Sequence, residues 1–366
     1  MGKPLNRSKL AHSANTAIQS VGALLIALIL GAVILLLTGA NPLGAYGAIL
    51  KGSVGSVSAF INTLVQTTPL MFTGLSYLFA AKAGLVNLGM EGQMLCGAMG
   101  AAVAGAWNLG LPKFIHLPLA ILVGVLAGGL YGLIAGLLKA KFGANEYIVT
   151  LMLNYVATLL MSYLANGPLR PEGEINVATA PVLETAQFTK LVKNRGLTAA
   201  LFIAVTLSVL VHFFLDRTKP GYEIRAVGRG RLASETAGIN IARTTMLTMF
   251  ISGGLAAMAG VSMVLGGNGR YIEGFSPGYG FNGIAVSSLA SGNPLMVGVS
   301  ALIFGALRAG AMVLNMTQRI RPEFADMIQA LVVIFVAMPA LFQVVKTRAK
   351  KPETEPAKAA EKKEAN

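Results

Sequence analysis

At 366 residues, with 54% hydrophobic and 12% charged residues and 43 glycines, the chain is too apolar for a soluble globular domain, and it is rich in the small residues that membrane helices use where they touch. A formal charge of +14 would suggest nucleic acid in a soluble protein, but here the Lys and Arg residues sit in short loops and a C-terminal tail between apolar runs, with no aromatic-interleaved basic patch. Cys96 is the only cysteine and lies in an apolar run, and His12, His116 and His212 are far apart, so neither a disulfide framework nor a Cys/His metal centre is available.

The hydrophobic pattern predicts an all-α polytopic membrane bundle of about ten spans, at 18–38, 57–81, 85–106, 115–138, 146–165, 197–215, 244–267, 281–292, 295–315 and 325–345. Lys3, Arg7 and Lys9 precede the apolar run Val21–Leu37, which is too long for a signal-peptide core, so it reads as a retained first helix. With the N-terminus inside, Lys82, Lys139, Lys141, the loop 216–243 and the tail from Lys346 fall in the cytoplasm; the loop 166–196 falls outside. Both termini are then cytoplasmic. The membrane domain covers 1–345, and the charged, Ala/Pro-rich segment 346–366 is a disordered tail whose basic residues can touch anionic lipid.

Several spans carry polar side chains, which are costly in lipid unless they face a bundle interior or water. On the second span Asn62, Gln66, Pro69, Thr73 and Ser76 recur at helical spacing, with Pro69 expected to kink the helix. On the fifth, Glu146, Thr150, Asn154, Thr158 and Ser162 recur every four residues and make one polar stripe. Two such helices facing each other line a polar passage, or else they hydrogen-bond the bundle together; the passage is the preferred reading. Asn145 and Glu146 also look like an N-cap and a first-turn acid. Asn87, Glu91 and Gln93 sit among glycines at the start of the third span, where unwound backbone would let them bind a proton, a cation or a substrate hydroxyl, or pin the loop.

Gly128, Gly132 and Gly136 form a small-residue stripe for close packing. The outer loop 166–196 is expected to hold turns and a short surface helix, as a docking segment or a passive connector. Ahead of the eighth span, Tyr279, Phe281 and Asn282 are placed to stack on and hydrogen-bond a ring-shaped solute. Arg308 either snorkels outward or pairs with Glu273. Gly-rich polar breaks at Gly84–Gly92 and Gly266–Gly283 precede the third element of two four-helix units of opposite orientation, the pattern of an inverted repeat. The solute pathway read from these residues comprises Asn62, Gln66, Asn87, Glu91, Gln93, Asn154, Thr158, Phe281 and Asn282.

Between two apolar runs, Asp216–Arg243 is basic and hydrated, and Pro220-Gly221 breaks the preceding helix so that Glu223–Ala237 can form a short amphipathic helix on the membrane surface. Such a helix can transmit force between the bundle and a cytoplasmic partner. The chain carries no phosphate-binding loop; Ser252-Gly253-Gly254 lies in an apolar span and reads as helix packing.

Four segments carry a family likeness: NLGMEGQ at 87–93, NEYIVTLMLNY at 145–155, GYEIRAVGRGRLASETAGI at 221–239 and GYGFNGIAV at 278–286. Together they resemble the permease subunits of bacterial ABC importers for nucleosides and simple sugars, within the branched-chain amino acid/ribose permease family. The resemblance covers the second to the tenth span. It implies a non-enzymatic transport subunit without a cofactor of its own. It also implies that 221–239 is a coupling helix seated in an ATPase groove, with Tyr222, Glu223, Arg225, Ala226, Gly228, Arg229, Ala237 and Gly238 at the contact. Gly230 and Ser234-Glu235 depart from the family's usual Asn and Ala-rich run. The implied partners are an ABC ATPase with two fused nucleotide-binding domains, a second and different permease chain, an external substrate-binding lipoprotein and membrane lipid, with no nucleic acid. A nucleoside is the implied solute. The alternatives are a simple sugar or branched-chain amino acid or, from another class, an ion-coupled secondary transporter using Glu91 or Glu146; a scaffold role is disfavoured by the polar stripes.

Overall fold

The computed structural model describes residues 29–37, 41–192, 195–318 and 327. Helices account for most of them: α1 (29–37), α2 (Pro42–Val54), α3 (Val57–Lys82), α4 (Met90–Ala106), α5 (Lys113–Phe142), α6 (Glu146–Asn166), α7 (Ala200–Arg217), α8 (Lys219–Arg229), α9 (Arg231–Thr236), α10 (Ile241–Met263), α11 (Tyr279–Leu289) and α12 (Pro294–Gln318). Among the described residues no β-strand occurs, only two isolated bridges.

Local sequence explains where the helices begin and end. Asn41, Ser56, Asn145 and Asn240 each accept a bond from a first-turn amide, at 3.1 Å from Leu43, 3.1 Å from Ala59, 3.0 Å from Tyr147 and 2.9 Å from Arg243. Gly143 ends α5 in the left-handed conformation at φ 64°, which a side chain would strain.

Among the described residues five helices are long and apolar enough to cross a membrane: α5, α6, α7, α10 with the π-helical turn Val264–Asn268 that continues it, and α12. The pair α2 and α3, bent by 84° at their junction, qualifies as a sixth. The ten expected spans are therefore not all matched by full-length helices. Residues 84–89 are non-helical, so the expected span 85–106 shortens to the 17-residue α4, and the expected 281–292 is the 11-residue α11, about 17 Å long at ~1.5 Å per residue. Of the expected first span only 29–37 is described, and 325–345 lies outside the described residues apart from Met327. The pattern did not anticipate α2, an Asn41-capped helix that packs against α12 through Ala45 and Ile49.

Helix α10 is central, packed against α3, α4 and α5, and nearly all its inner residues are buried. The glycine stripe explains how α5 approaches so closely. A Cβ on Gly132 would come within 2.6 Å of the Met249 carbonyl oxygen, and one on Gly128 within 2.6 Å of the Gln93 carbonyl oxygen. Ser252-Gly253-Gly254 sits in this contact, as packing. By contrast α5, α6 and α7 expose Leu, Val, Ile and Phe along their outer faces, the surface a bilayer would cover. One core cluster joins α3, α10, α11 and α12 around Phe72, Phe79 and Phe304; a second joins α4 to the segment after α6 through Met99, Met161, Val182 and Phe188.

That segment, 166–199, is more than a connector. It carries one 3₁₀ turn at Glu184–Ala186 and is stitched across the ends of α4 and α10. Thr179 N donates to Tyr271 O at 3.0 Å, Val182 N to Gly269 O at 2.7 Å, Leu183 N to Gly105 O at 2.9 Å and Phe188 N to Leu265 O at 2.9 Å. His116, buried near the start of α5, bonds Thr185 Oγ1 at 2.8 Å and Ala104 O at 3.0 Å, holding the same cover in place.

Candidate functional site

The two predicted polar stripes do not face each other. Helix α6 packs on α4 and α5, whereas α3 packs on α10, α11 and α12. The α6 stripe instead clamps the non-helical stretch before α4: Asn154 Oδ1 accepts from Gly92 N at 2.8 Å, its Nδ2 donates to Leu88 O at 2.7 Å, and Thr150 Oγ1 accepts from Leu88 N at 3.2 Å. Thr158 donates to the Asn154 carbonyl at 2.9 Å, within its own helix. Glu146 pairs with Lys139 at 2.7 Å across the α5–α6 turn, as a first-turn acid does.

Asn87 and Gln93 are buried and bonded to one another. Asn87 Nδ2 donates to Gln93 Oε1 and to Ser252 Oγ, both at 2.8 Å, and its Oδ1 accepts from Gly89 N at 3.0 Å and Gln93 Nε2 at 3.1 Å. Ser252 exchanges bonds with Ser76, so the network ties α3, α4 and α10 together. In this arrangement Asn87, Gln93 and Asn154 bond neighbouring segments of the fold together, and none of them lines the cavity beside Tyr279.

A second polar group lies where α3, α4, α11 and α12 meet. Glu91 is in the first turn of α4, so the expectation of unwound backbone at 91 and 93 is corrected: the break ends at Gly89. Glu91 Oε2 accepts from Gly280 N at 2.7 Å in the first turn of α11 and also bonds Ser276. Arg308 neither snorkels outward nor pairs with Glu273. It is buried, its Nη2 donates to Pro277 O at 2.9 Å, and its guanidinium lies 4.8 Å from the Tyr279 ring centroid. Glu273 accepts instead from Ser162. The Tyr279 hydroxyl donates to Gln66 Oε1, linking this group to the middle of α3. Phe281 is exposed, Asn282 half-buried and Asn62 exposed on α3.

Beside Tyr279 opens a cavity of about 200 Å³ between the middle of α3, the start of α7 and the π-helical end of α10. Gln66 and Pro69 line it from α3, Ser262, Met263 and Asn268 from α10, and Thr198 from the chain before α7. Of the predicted pathway residues only Gln66 lines it. Pro69 removes the donor that would serve the Val65 carbonyl, and the π turn widens the end of α10; such irregularities are frequent at functional sites. Thr198, Ser262 and Asn268 were missed because none belongs to a helical polar stripe. The signal for Asn268 was its place in the GGNG break.

At the opposite end of α7 and α10, α8 and α9 form two short helices where one was expected over 223–237. They part at Gly230, whose backbone is extended. Thr218 caps α8, accepting from Gly221 N at 3.1 Å. Ile224 and Val227 are buried, Ile224 within the main core cluster, while Tyr222 and Leu232 are 62% and 81% exposed. Gly228, Arg229, Ala237 and Gly238 are exposed as well, and Glu223, Arg225 and Ala226 are half-buried. Helix α8 rests on the end of α3, where a Cβ on Gly228 would overlap the Lys82 carbonyl oxygen. Asp216 joins it to α7, 3.5 Å from Arg225 and 3.6 Å from His212.

Residues 59–337 match the family described as branched-chain amino acid transport system / permease component. The guanosine ABC transporter permease protein NupP of Bacillus subtilis is 33% identical over 335 residues, covering 90% of this chain and 95% of that protein. The nucleoside ABC transporter permease protein NupB of Lactococcus lactis subsp. cremoris is 31% identical over 337 residues, covering 90% and 92%. The glucose ABC transporter permease protein TsgB13 of Haloferax volcanii is 31% identical over 332 residues, covering 87% and 86%.

Proposed function

Because this chain belongs to the branched-chain amino acid transport permease family, we propose that it is the membrane-spanning subunit of an ATP-driven importer and moves a nucleoside inward by alternating access. The observation that carries the reading is similarity along nine-tenths of the chain to permeases for guanosine and nucleosides. A simple sugar is the second reading, favoured by the match to the glucose permease. The subunit is not an enzyme; ATP is hydrolysed by a partner chain carrying two nucleotide-binding domains. A second permease and an external substrate-binding lipoprotein complete the assembly.

In this reading α8 and α9 are the coupling element and face the cytoplasm, as do both termini, and the 166–199 cover faces outward. Exposed Tyr222 and Leu232 on an otherwise basic, hydrated turn support it, since large apolar side chains in water mark a docking surface. The ten-span, inverted-repeat topology belongs to the same proposal. It draws support from the two breaks, after which α4 and α11 begin side by side at the Glu91–Gly280 bond. Lys82 ends α3 next to Gly292, just past α11, and close to Asp216 and Arg225. Tilting α8 would therefore move the far end of the short helix whose Tyr279 borders the cavity.

The double substitution Tyr222→Ala with Leu232→Ala tests the docking surface, because both side chains are exposed and their truncation leaves no cavity in the core. Co-purification of the ATPase should fall about 30-fold, the loss of one interface hot spot; unchanged co-purification would remove α8 and α9 from the interface.

A further inference from the structure

We propose that the cavity beside Pro69 is a subsite for the base of the transported nucleoside, a neutral planar ring carrying adjacent hydrogen-bond donors and acceptors. The proposal rests on the nucleoside-importer reading and adds to it where and by what chemistry the solute is held.

Three polar groups with unused capacity converge on this cavity. Thr198 is 5% exposed, yet its hydroxyl makes no hydrogen bond among the described residues. The Asn268 carboxamide makes none either. Gln66 Oε1 is taken by Tyr279, while its Nε2 has only the Met312 sulfur at 3.9 Å, a weak acceptor. The other polar side chains on the wall are locally satisfied: Ser262 donates to Ala259 O at 2.7 Å and Thr68 to Leu64 O at 2.9 Å. All three line the cavity and keep hydrogen-bonding capacity that a ligand there could use.

Their chemistry selects the ligand. Every residue lining the cavity is uncharged, so an amino acid zwitterion would bury two ions without counter-ions. A carboxamide offers a donor and an acceptor in one plane, the arrangement that Asn and Gln use against the edge of a base. Val65, Pro69 and Met263 supply apolar walls that suit the faces of a ring and would leave the hydroxyls of a sugar unpaired. At about 200 Å³ the space is below the ~300 Å³ at which pockets begin to enclose drug-sized ligands, so it takes one ring system with the ribose projecting out. The wall includes Gly196 and Gly267, both exposed, at the end of α7 and α10 away from α8. The solute would thus enter from the side of the 166–199 cover, the outer side in the topology proposed above.

Cys96 is the only cysteine, so Cys96→Ser provides a thiol-free chain for site-directed labelling. In membranes holding the complete transporter, Thr198→Cys and Asn268→Cys would each be tested in that chain with N-ethylmaleimide. Both thiols should be labelled. Adenosine and adenine should each slow the labelling at least tenfold, ribose and leucine should not, and adding Gln66→Leu should weaken the protection about 3- to 10-fold, the loss of one hydrogen bond. Absence of labelling, labelling that no solute slows, or equal protection by ribose or leucine would overturn the proposal. Adenosine uptake by the unmodified complex separates the two readings. Uptake with unprotected thiols defeats the subsite alone; no uptake defeats the nucleoside reading itself.

Discussion

Asn87→Leu is expected to destabilise the folded chain by about 3–5 kcal/mol, although it touches neither the cavity nor α8 and α9. Asn87 makes four hydrogen bonds, to Gly89 N, Ser252 and both ends of the Gln93 carboxamide. In a bilayer each such bond averages only ~0.6 kcal/mol, because the unfolded chain in lipid finds other partners. That sum alone gives roughly 2.4 kcal/mol. The substitution also strands the Gly89 amide, which is buried and has no water to turn to, and an unpaired buried donor costs about 1–3 kcal/mol more. Leucine keeps the same branched skeleton but is larger, so any overpacking adds to the loss. Thermal unfolding in detergent checks it. A loss below ~1 kcal/mol would mean that the 87–93 stretch is held by packing, not by its polar network.

The second large effect is expected from Gly228→Val, which should reduce solute uptake about tenfold or more while the chain still reaches the membrane. Helix α8 meets the end of α3 at this glycine with no room for a Cβ: the Lys82 carbonyl oxygen would overlap it, and Ala83 C and Gly84 N would lie 3.0 Å away. These are backbone atoms, so α8 itself must move, and overpacking of this kind costs typically ~1–3 kcal/mol. Displacing α8 shifts the element that would receive the ATPase. Gly230→Ala is the control: the nearest atom to its added Cβ would be the Ala233 methyl at 3.7 Å, an ordinary contact, and uptake should be unchanged. Equal loss from both would point to general sensitivity of the segment and not to the seat on α3.

How much of this was legible in the sequence differs from one element to the next. The glycine stripe on α5 and the Asn145 cap could be read because each depends on local spacing that the fold leaves intact; the amphipathic segment 223–237 was read as one helix, and its division at Gly230 was not. The breaks before α4 and α11 were readable too, from their glycines, although the break ended at Gly89, two residues before Glu91. Periodicity misled where a polar stripe had two possible neighbours. The stripe on α6 is real, but a stripe does not state what it faces, and here it faces the backbone of 88–92. Arg308 was misplaced for a related reason: pairing it with Glu273 used only charge and depth, whereas the partners it found are the Tyr279 ring and a carbonyl on the turn before α11. The cavity was the least visible feature, since Gln66, Thr198 and Asn268 come from three distant segments that only tertiary packing unites.

On the importer reading, this chain supplies a path through the membrane and the driving energy reaches it through α8 from a separate ATPase. The direct measurement is uptake of radiolabelled adenosine by vesicles holding the chain with its partner subunits and binding protein, with ATP present on the α8 side and then omitted. Uptake should occur with ATP and be insensitive to an uncoupler, and should not rise above background without ATP. Uptake that continues without ATP and collapses when the ion gradient is dissipated would contradict it.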